Sequence, residues 1–218
     1  MMKRILTIIV LAACLVGTAI AQEFTMKGDI NPVKYKPGQE ATVTFSHFPQ
    51  TVEEFQMAQE TLGQTPQGAV VLQLMAFEMW RRDAKLGKEC IRLCNVESNY
   101  YSVESRIKEI YRHGDSYAKE HLVATFLKGA TPQNGFNPQK PYTVTVRSRK
   151  NHGYERSQSL QGYVLYLEVF STGYDSHWRG CEVVRQKGCP YFKVSNSPSM
   201  YVQCQEVPFD APEYRGLE

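Results

Sequence analysis

Between Ala69 and Trp80 the only polar residues are Gln73 and Glu78. A surface helix needs one apolar stripe, whereas this segment is apolar almost all round, the pattern of a helix wrapped by other elements. Thr65-Pro66 supplies an N-cap and a proline at the first helical position, and Gly87 behind Lys85 is a stop signal. The spacing therefore predicts a long central helix ending at Gly87.

The flanking segments read as follows. Glu40–Ser46 alternates Ala41, Val43 and Phe45 with Glu40, Thr42 and Thr44, which predicts a half-buried strand. Thr51 with Glu54 forms a capping box that opens a helix running to Gly63. Lys88 to Cys94 reads as a short helix, and Asn99 or Ser102 opens another that ends at Gly114. Asp115 caps a further helix, with Ala118, Leu122, Val123, Phe126 and Leu127 on one face, ending at Gly129. Ala130 to Pro141 is loop by composition.

Beyond it the period is two. Strands are expected at Tyr142–Arg147, Gly162–Phe170 and Met200–Val207. A hairpin of Cys181–Val184 with Tyr191–Val194 is expected around Arg185–Gly188. Helices followed by strands without strict alternation predict an α+β fold: an N-terminal helical cluster around the buried central helix, packed on a C-terminal, mostly antiparallel β-sheet.

The first residues carry a different pattern. Lys3 and Arg4 precede an apolar run, Ile5 to Val16, and Ala19-Ile20-Ala21 fits a cleavage site, so 1–21 reads as a signal peptide. Leu11-Ala12-Ala13-Cys14 offers the alternative of a lipoprotein anchored at Cys14. The run is short of the ~20 apolar residues of a span, so no transmembrane helix is expected after signal removal. The expectation is a periplasmic or secreted protein of the bacterial envelope, with a leader and first strand at 22–47 and a single domain at 48–218 (helices about 51–128, strands about 142–207).

The formal net charge is only +3, and smaller once Lys3 and Arg4 leave, so there is no electrostatic case for nucleic acid. Export places the cysteines where disulfides form. Cys90, Cys94, Cys181, Cys189 and Cys204 remain, an odd number. Cys90 and Cys94, four apart on a helix, are too distant for a disulfide and read as core. Cys181 and Cys189 flank the expected hairpin loop and are the candidate disulfide. Cys204 reads as core.

No P-loop, dinucleotide fingerprint, G-x-S-x-G elbow or H-E-x-x-H is present, so neither cofactor nor metal is expected. Glu78 within the apolar helix is either a buried acid or a carboxylate neutralised by Arg81 or Arg82. Two loops carry the candidate ligand-binding residues. Lys150–Glu155 holds His152 and Tyr154, and Gly173–Arg179 holds Tyr174, Asp175, His177 and Trp178. If the loops meet, they offer stacking surface and polar groups suited to a sugar or peptide, or a weak metal site. Otherwise they are two ordinary turns.

Two phrases carry a resemblance: Thr65–Ala69 leading into Ala76-Phe77-Glu78-Met79-Trp80-Arg81-Arg82-Asp83, and Phe126-Leu127-Lys128-Gly129-Ala130-Thr131-Pro132-Gln133-Asn134-Gly135-Phe136-Asn137-Pro138. Together they resemble an uncharacterised family of exported bacterial domains of unknown function. The resemblance implies no activity and transfers no catalytic residue. The expected function is a non-catalytic binding or interaction module whose partner is a glycan, a peptide or an envelope protein. The alternative is an envelope hydrolase acting on peptide, ester or glycan bonds, with His177 or His152 beside Cys94 or Ser176, or with Glu78 facing a cleft. A structural envelope component is the third class.

Overall fold

The computed structural model describes residues 23–112, 119–150 and 154–218. The expected signal segment, the caps at Gly114 and Asp115, and His152 lie outside the described residues.

The chain opens with β1 (Phe24–Lys27) and β2 (Glu40–Phe45), which pair antiparallel. The leader thus contributes a strand of its own ahead of the expected first strand, β2. Four helices follow. α1 (Val52–Leu62) is capped by Thr51, whose side chain accepts from the Glu54 amide. α2 (Pro66–Arg82) is capped by Thr65 in the same way, and every residue from Pro66 to Trp80 is buried. α3 (Ala84–Cys94) and α4 (Glu97–Ile110) complete the cluster. α2 packs against α1 and α3 and lies on the strands of the sheet, which explains why it is apolar on every side.

The central helix stops at Arg82, not at Gly87. Asp83 accepts from the amides of Lys85 and Leu86 and so starts a new helix. Gly87 sits inside α3 against the backbone of Trp80, where a Cβ would collide. It is a close-approach glycine between two helices, with no part in ending one.

The helix expected to end at Gly129 survives, among the described residues, as turns and a short 3-10 segment at Ala124–Phe126. The Thr125 carbonyl accepts from the amide and hydroxyl of Thr172, at 2.9 and 3.2 Å, so it bonds to the sheet side instead of continuing a helix.

Next come β3 (Tyr142–Ser148), β4 (Tyr154–Ser157), β5 (Gly162–Phe170), β6 (Trp178–Val184) and β7 (Lys193–Asn196). The order is β1-β2-β3-β5-β6-β7, with β4 beside β5; these strands pair antiparallel, and a lone parallel bridge joins Asn95 to Val194. The fold is α+β as the sequence predicts. Ala41, Val43 and Phe45 on β2, Val144 and Val146 on β3, and Leu165, Leu167 and Val169 on β5 form the face that meets α2.

The segment expected as a last strand, Met200–Val207, is not one. Its groups bond elsewhere: the Gln205 amide to the Gly173 carbonyl and the Val202 carbonyl to the Tyr174 hydroxyl. The tail then docks on the 131–137 loop, where Asn137 bonds the Glu213 carbonyl and the Arg215 amide. Among the described residues no helix is long and apolar enough to cross a membrane.

Candidate functional site

The face of the sheet turned away from the helices carries a surface depression. Alternation on β2 and β3 sends Val and Phe inward and Thr outward, and threonine suits a half-buried pleat because its branched Cβ packs while its hydroxyl stays free. The register sets Thr42 opposite Thr145 and Thr44 opposite Thr143. The Thr44 and Thr143 hydroxyls are 2.9 Å apart. Next on this face, Phe170 of β5 pairs with Trp178 of β6, their rings 5.4 Å apart and inclined at 74°.

Arg147 of β3 lies over the indole, its guanidinium 3.7 Å from the ring centroid. Glu168 holds that guanidinium at 2.7 Å. The segment 126–129 forms a side wall, tied down by the Lys128 amide donating to the Thr143 carbonyl at 2.8 Å. The four threonines, Phe170, Trp178 and the 126–129 segment enclose a groove of about 550 Å³, with Lys27, Glu40 and Lys128 exposed at its margin.

The sequence-predicted residues divide. Trp178 lines the groove. His177 is exposed in the neighbouring turn, its Nδ1 3.1 Å from the Ser171 carbonyl and its ring 5.5 Å from Phe170. Tyr174 points away: it is buried, donates to the Val202 carbonyl at 3.0 Å and carries Arg179 over its ring. Burial pushes its phenol pKa up. Asp175 accepts from Gln205 Nε2 at 2.8 Å, which ties the turn to the C-terminal segment.

The described end of the first candidate loop stands apart from Trp178. The backbone of Tyr154 belongs to β4, opposite Leu165, whereas Trp178 is opposite Phe170. Those positions are separated by about 17 Å along β5 at the usual strand rise. The threonine ladder and Lys128 were missed because alternation marks a polar face without saying which strands share it.

Comparison with protein families places residues 47–208 in a family described as a domain of unknown function (DUF6935). The chain belongs to this family. No curated protein and no solved structure matches it. The DUF6935 match covers α1 through β7 and therefore Trp178, Arg147 and two of the threonines, while Thr42 and Thr44 of β2 lie before it.

Glu78, His121 and the thiols of Cys90, Cys94, Cys181 and Cys204 of this DUF6935 domain are interior. Glu78 is fully buried and accepts from Arg81 Nε and Nη2 at 2.9 and 2.7 Å and from Arg82 Nε at 2.9 Å. The neutralised reading of this carboxylate is the correct one. Arg82 also donates to the Leu217 carbonyl at 2.8 Å, anchoring the tail.

Cys94 has Gln73 and Asn95 for neighbours, within a buried polar chain that continues through Asn99 and Ser197. Burial pushes the Cys90 thiol pKa up to about 12 and that of Cys94 higher still.

The sequence reading missed one pair. Cys204 Sγ lies 3.5 Å from His121 Nε2, and both residues are buried. The same Nε2 is 2.8 Å from the Gln205 carbonyl, so it carries its proton toward that acceptor and is not free to take one from the thiol. Burial pushes the Cys204 thiol pKa up to about 12 and that of His121 down.

Cys181 and Cys189 are both free thiols. β6 ends at Val184, where the sequence places it, and Cys181 is paired with Leu167, about 10 Å back from the loop. A disulfide needs Cα atoms within about 7 Å. Among the described residues no group of three or more His, Cys, Asp or Glu is placed to hold a metal.

Proposed function

We propose that this domain is a non-catalytic binding module of the cell envelope, and that it holds a glycan in the groove on the outer face of its sheet. The observation that carries this reading is the pairing of an aromatic wall, Trp178 with Phe170, with a floor of four threonine hydroxyls. A sugar ring presents an apolar C–H face and a rim of hydroxyls. It is matched by a rigid aromatic surface beside short donors and acceptors that are already fixed in place.

The groove is formed by strands, and the indole is held by Phe170 and by the Arg147–Glu168 pair, so little ordering remains to be done on binding. The signal-like segment ending at Ala21 supports an envelope location. The chemistry of the interior supports binding over hydrolysis: the buried thiols of Cys90, Cys94, Cys181 and Cys204 are held in their neutral form.

The test is calorimetric titration with linear oligosaccharides, comparing the native chain with Trp178→Ala and Thr145→Val. Heat of binding that is abolished by Trp178→Ala and weakened by Thr145→Val, with both variants folded by circular dichroism, supports the reading. Undiminished binding by both variants, or none by the native chain, overturns it.

A further inference from the structure

Trp178 stands between two depressions of the outer face. A second depression of about 300 Å³ lies beside it, lined by Arg149, Glu168, Gly180, Glu182, Asn196 and Ser199, and among the described residues only Trp178 lines both. The second depression exists because of Gly180. On the outer face of β6 this glycine stands between Trp178 and Glu182, opposite Glu168, and leaves the strand bare. A Cβ there would meet only Ser199 Oγ, at 3.6 Å, so the space is open.

The far wall is fixed and polar. Asn196 Nδ2 donates to Glu182 at 3.0 Å, Ser199 Oγ donates to the Gly180 carbonyl at 2.9 Å, and Arg149 approaches Glu168 at 3.9 Å. From β2 through β3, β5 and β6 to β7 the two depressions cross four strand spacings, about 19 Å at the usual ~4.8 Å each.

We propose that the ligand is a linear oligosaccharide that passes over Trp178, with residues in both depressions, and not a single sugar. This rests on the glycan reading above. The indole, fixed from the side by Phe170, is the ridge over which the chain bends. The threonine groove takes one part of it. The Gly180 depression takes the next, offering a carboxamide, a guanidinium and two carboxylates to its hydroxyls.

The test is a length series, from monosaccharide to hexasaccharide, of chito-, gluco- and galacturono-oligosaccharides, titrated by calorimetry. In the native chain the affinity for the bound series rises at least tenfold as the chain lengthens enough to cross Trp178. Gly180→Val fills the second depression and removes that rise while leaving the affinity for short sugars unchanged. Asn196→Ala, at the far wall, reduces the rise without altering the strand.

If affinity is independent of length, or if both variants keep the full rise, the two-part site is wrong and the glycan reading stands. If no sugar of any length binds, both fall together.

Discussion

The guanidinium of Arg147 lies 3.7 Å from the ring centroid of Trp178 and is held there by Glu168 on the intervening strand. Three strands thus fix the orientation of one indole. Lysine cannot reproduce this, because its point charge neither stacks flat nor forks onto a carboxylate. Arg147→Lys is expected to lower stability by about 1 kcal/mol and to weaken oligosaccharide binding through a less ordered indole. Urea unfolding and titration of the same variant check both halves.

Glu78 is fully buried between two arginines. Glu78→Gln keeps the shape and removes the charge, leaving two half-buried guanidinium groups facing each other. The expected loss is about 3 kcal/mol or more, the cost of stranding a buried charge. A loss below about 1 kcal/mol in denaturant unfolding would place this cluster among ordinary surface pairs.

Gly87 reverses the sign of a familiar substitution. In an exposed helix interior Gly→Ala stabilises by about 1 kcal/mol. Here the new Cβ would run into the backbone of Trp80, so Gly87→Ala is expected to destabilise by about 1–3 kcal/mol as the two helices are pushed apart. Thermal unfolding of the variant decides the sign.

His121 makes stability depend on pH. Burial lowers its pKa below the ordinary value of 6.5, with the Lys119 ammonium adding to the effect and the Gln205 carbonyl, Glu120 and Glu206 opposing it. The unfolded chain therefore binds a proton more readily than the folded one as pH falls below about 6.5, and stability drops in that window. Above it the contribution is fully present. The carboxylates whose pKa values lie below the ordinary 4.5, Glu53, Glu104, Glu206 and Glu218, act only at lower pH. Urea unfolding at pH 8, 7, 6 and 5 should show the decline in the native chain and a flatter profile in His121→Gln.

The thiols provide a check on the fold that is independent of binding. In a chain beginning at Gln22, only Cys189 is partly exposed, while Cys90, Cys94, Cys181 and Cys204 are buried. A thiol reagent is expected to modify Cys189 in the native protein and the other four only after unfolding. Rapid native-state labelling of Cys181 or Cys204 would contradict the packing of β6 and of the C-terminal segment.

The sequence disclosed what is encoded locally. Ala69–Trp80 is legible as a wrapped helix because no face of it is polar, and Thr51 and Thr65 are legible as caps because a cap is a contact three residues away. Gly87 misleads for the same reason. Local rules treat a glycine after a helical run as a stop, whereas here the chain turns at Asp83 and folds Gly87 back against Trp80 of the helix just before it. Trp178 stands out among the turn residues.

Its partners do not stand out, because Thr42 meets Thr145 only through a register between distant strands. The same sheet sets Tyr154 and Trp178 at different parts of β5, which hands its pairing from β4 to β3 part-way along its length. The interior pair His121 and Cys204 was hidden because its members come together through a segment that looks like a strand and bonds as a strap.

The central claim is that the outer face of the sheet holds a glycan at Trp178. The chain has two tryptophans, and the other, Trp80, is buried in α2. Their indole N–H groups give two separate signals in a nitrogen–proton correlation spectrum. Titration with a bound linear oligosaccharide is expected to move the Trp178 indole signal saturably, together with the amides of Thr145 and Phe170, while the Trp80 signal stays in place. A saturable shift that leaves Trp178 unmoved and appears elsewhere would contradict the claim.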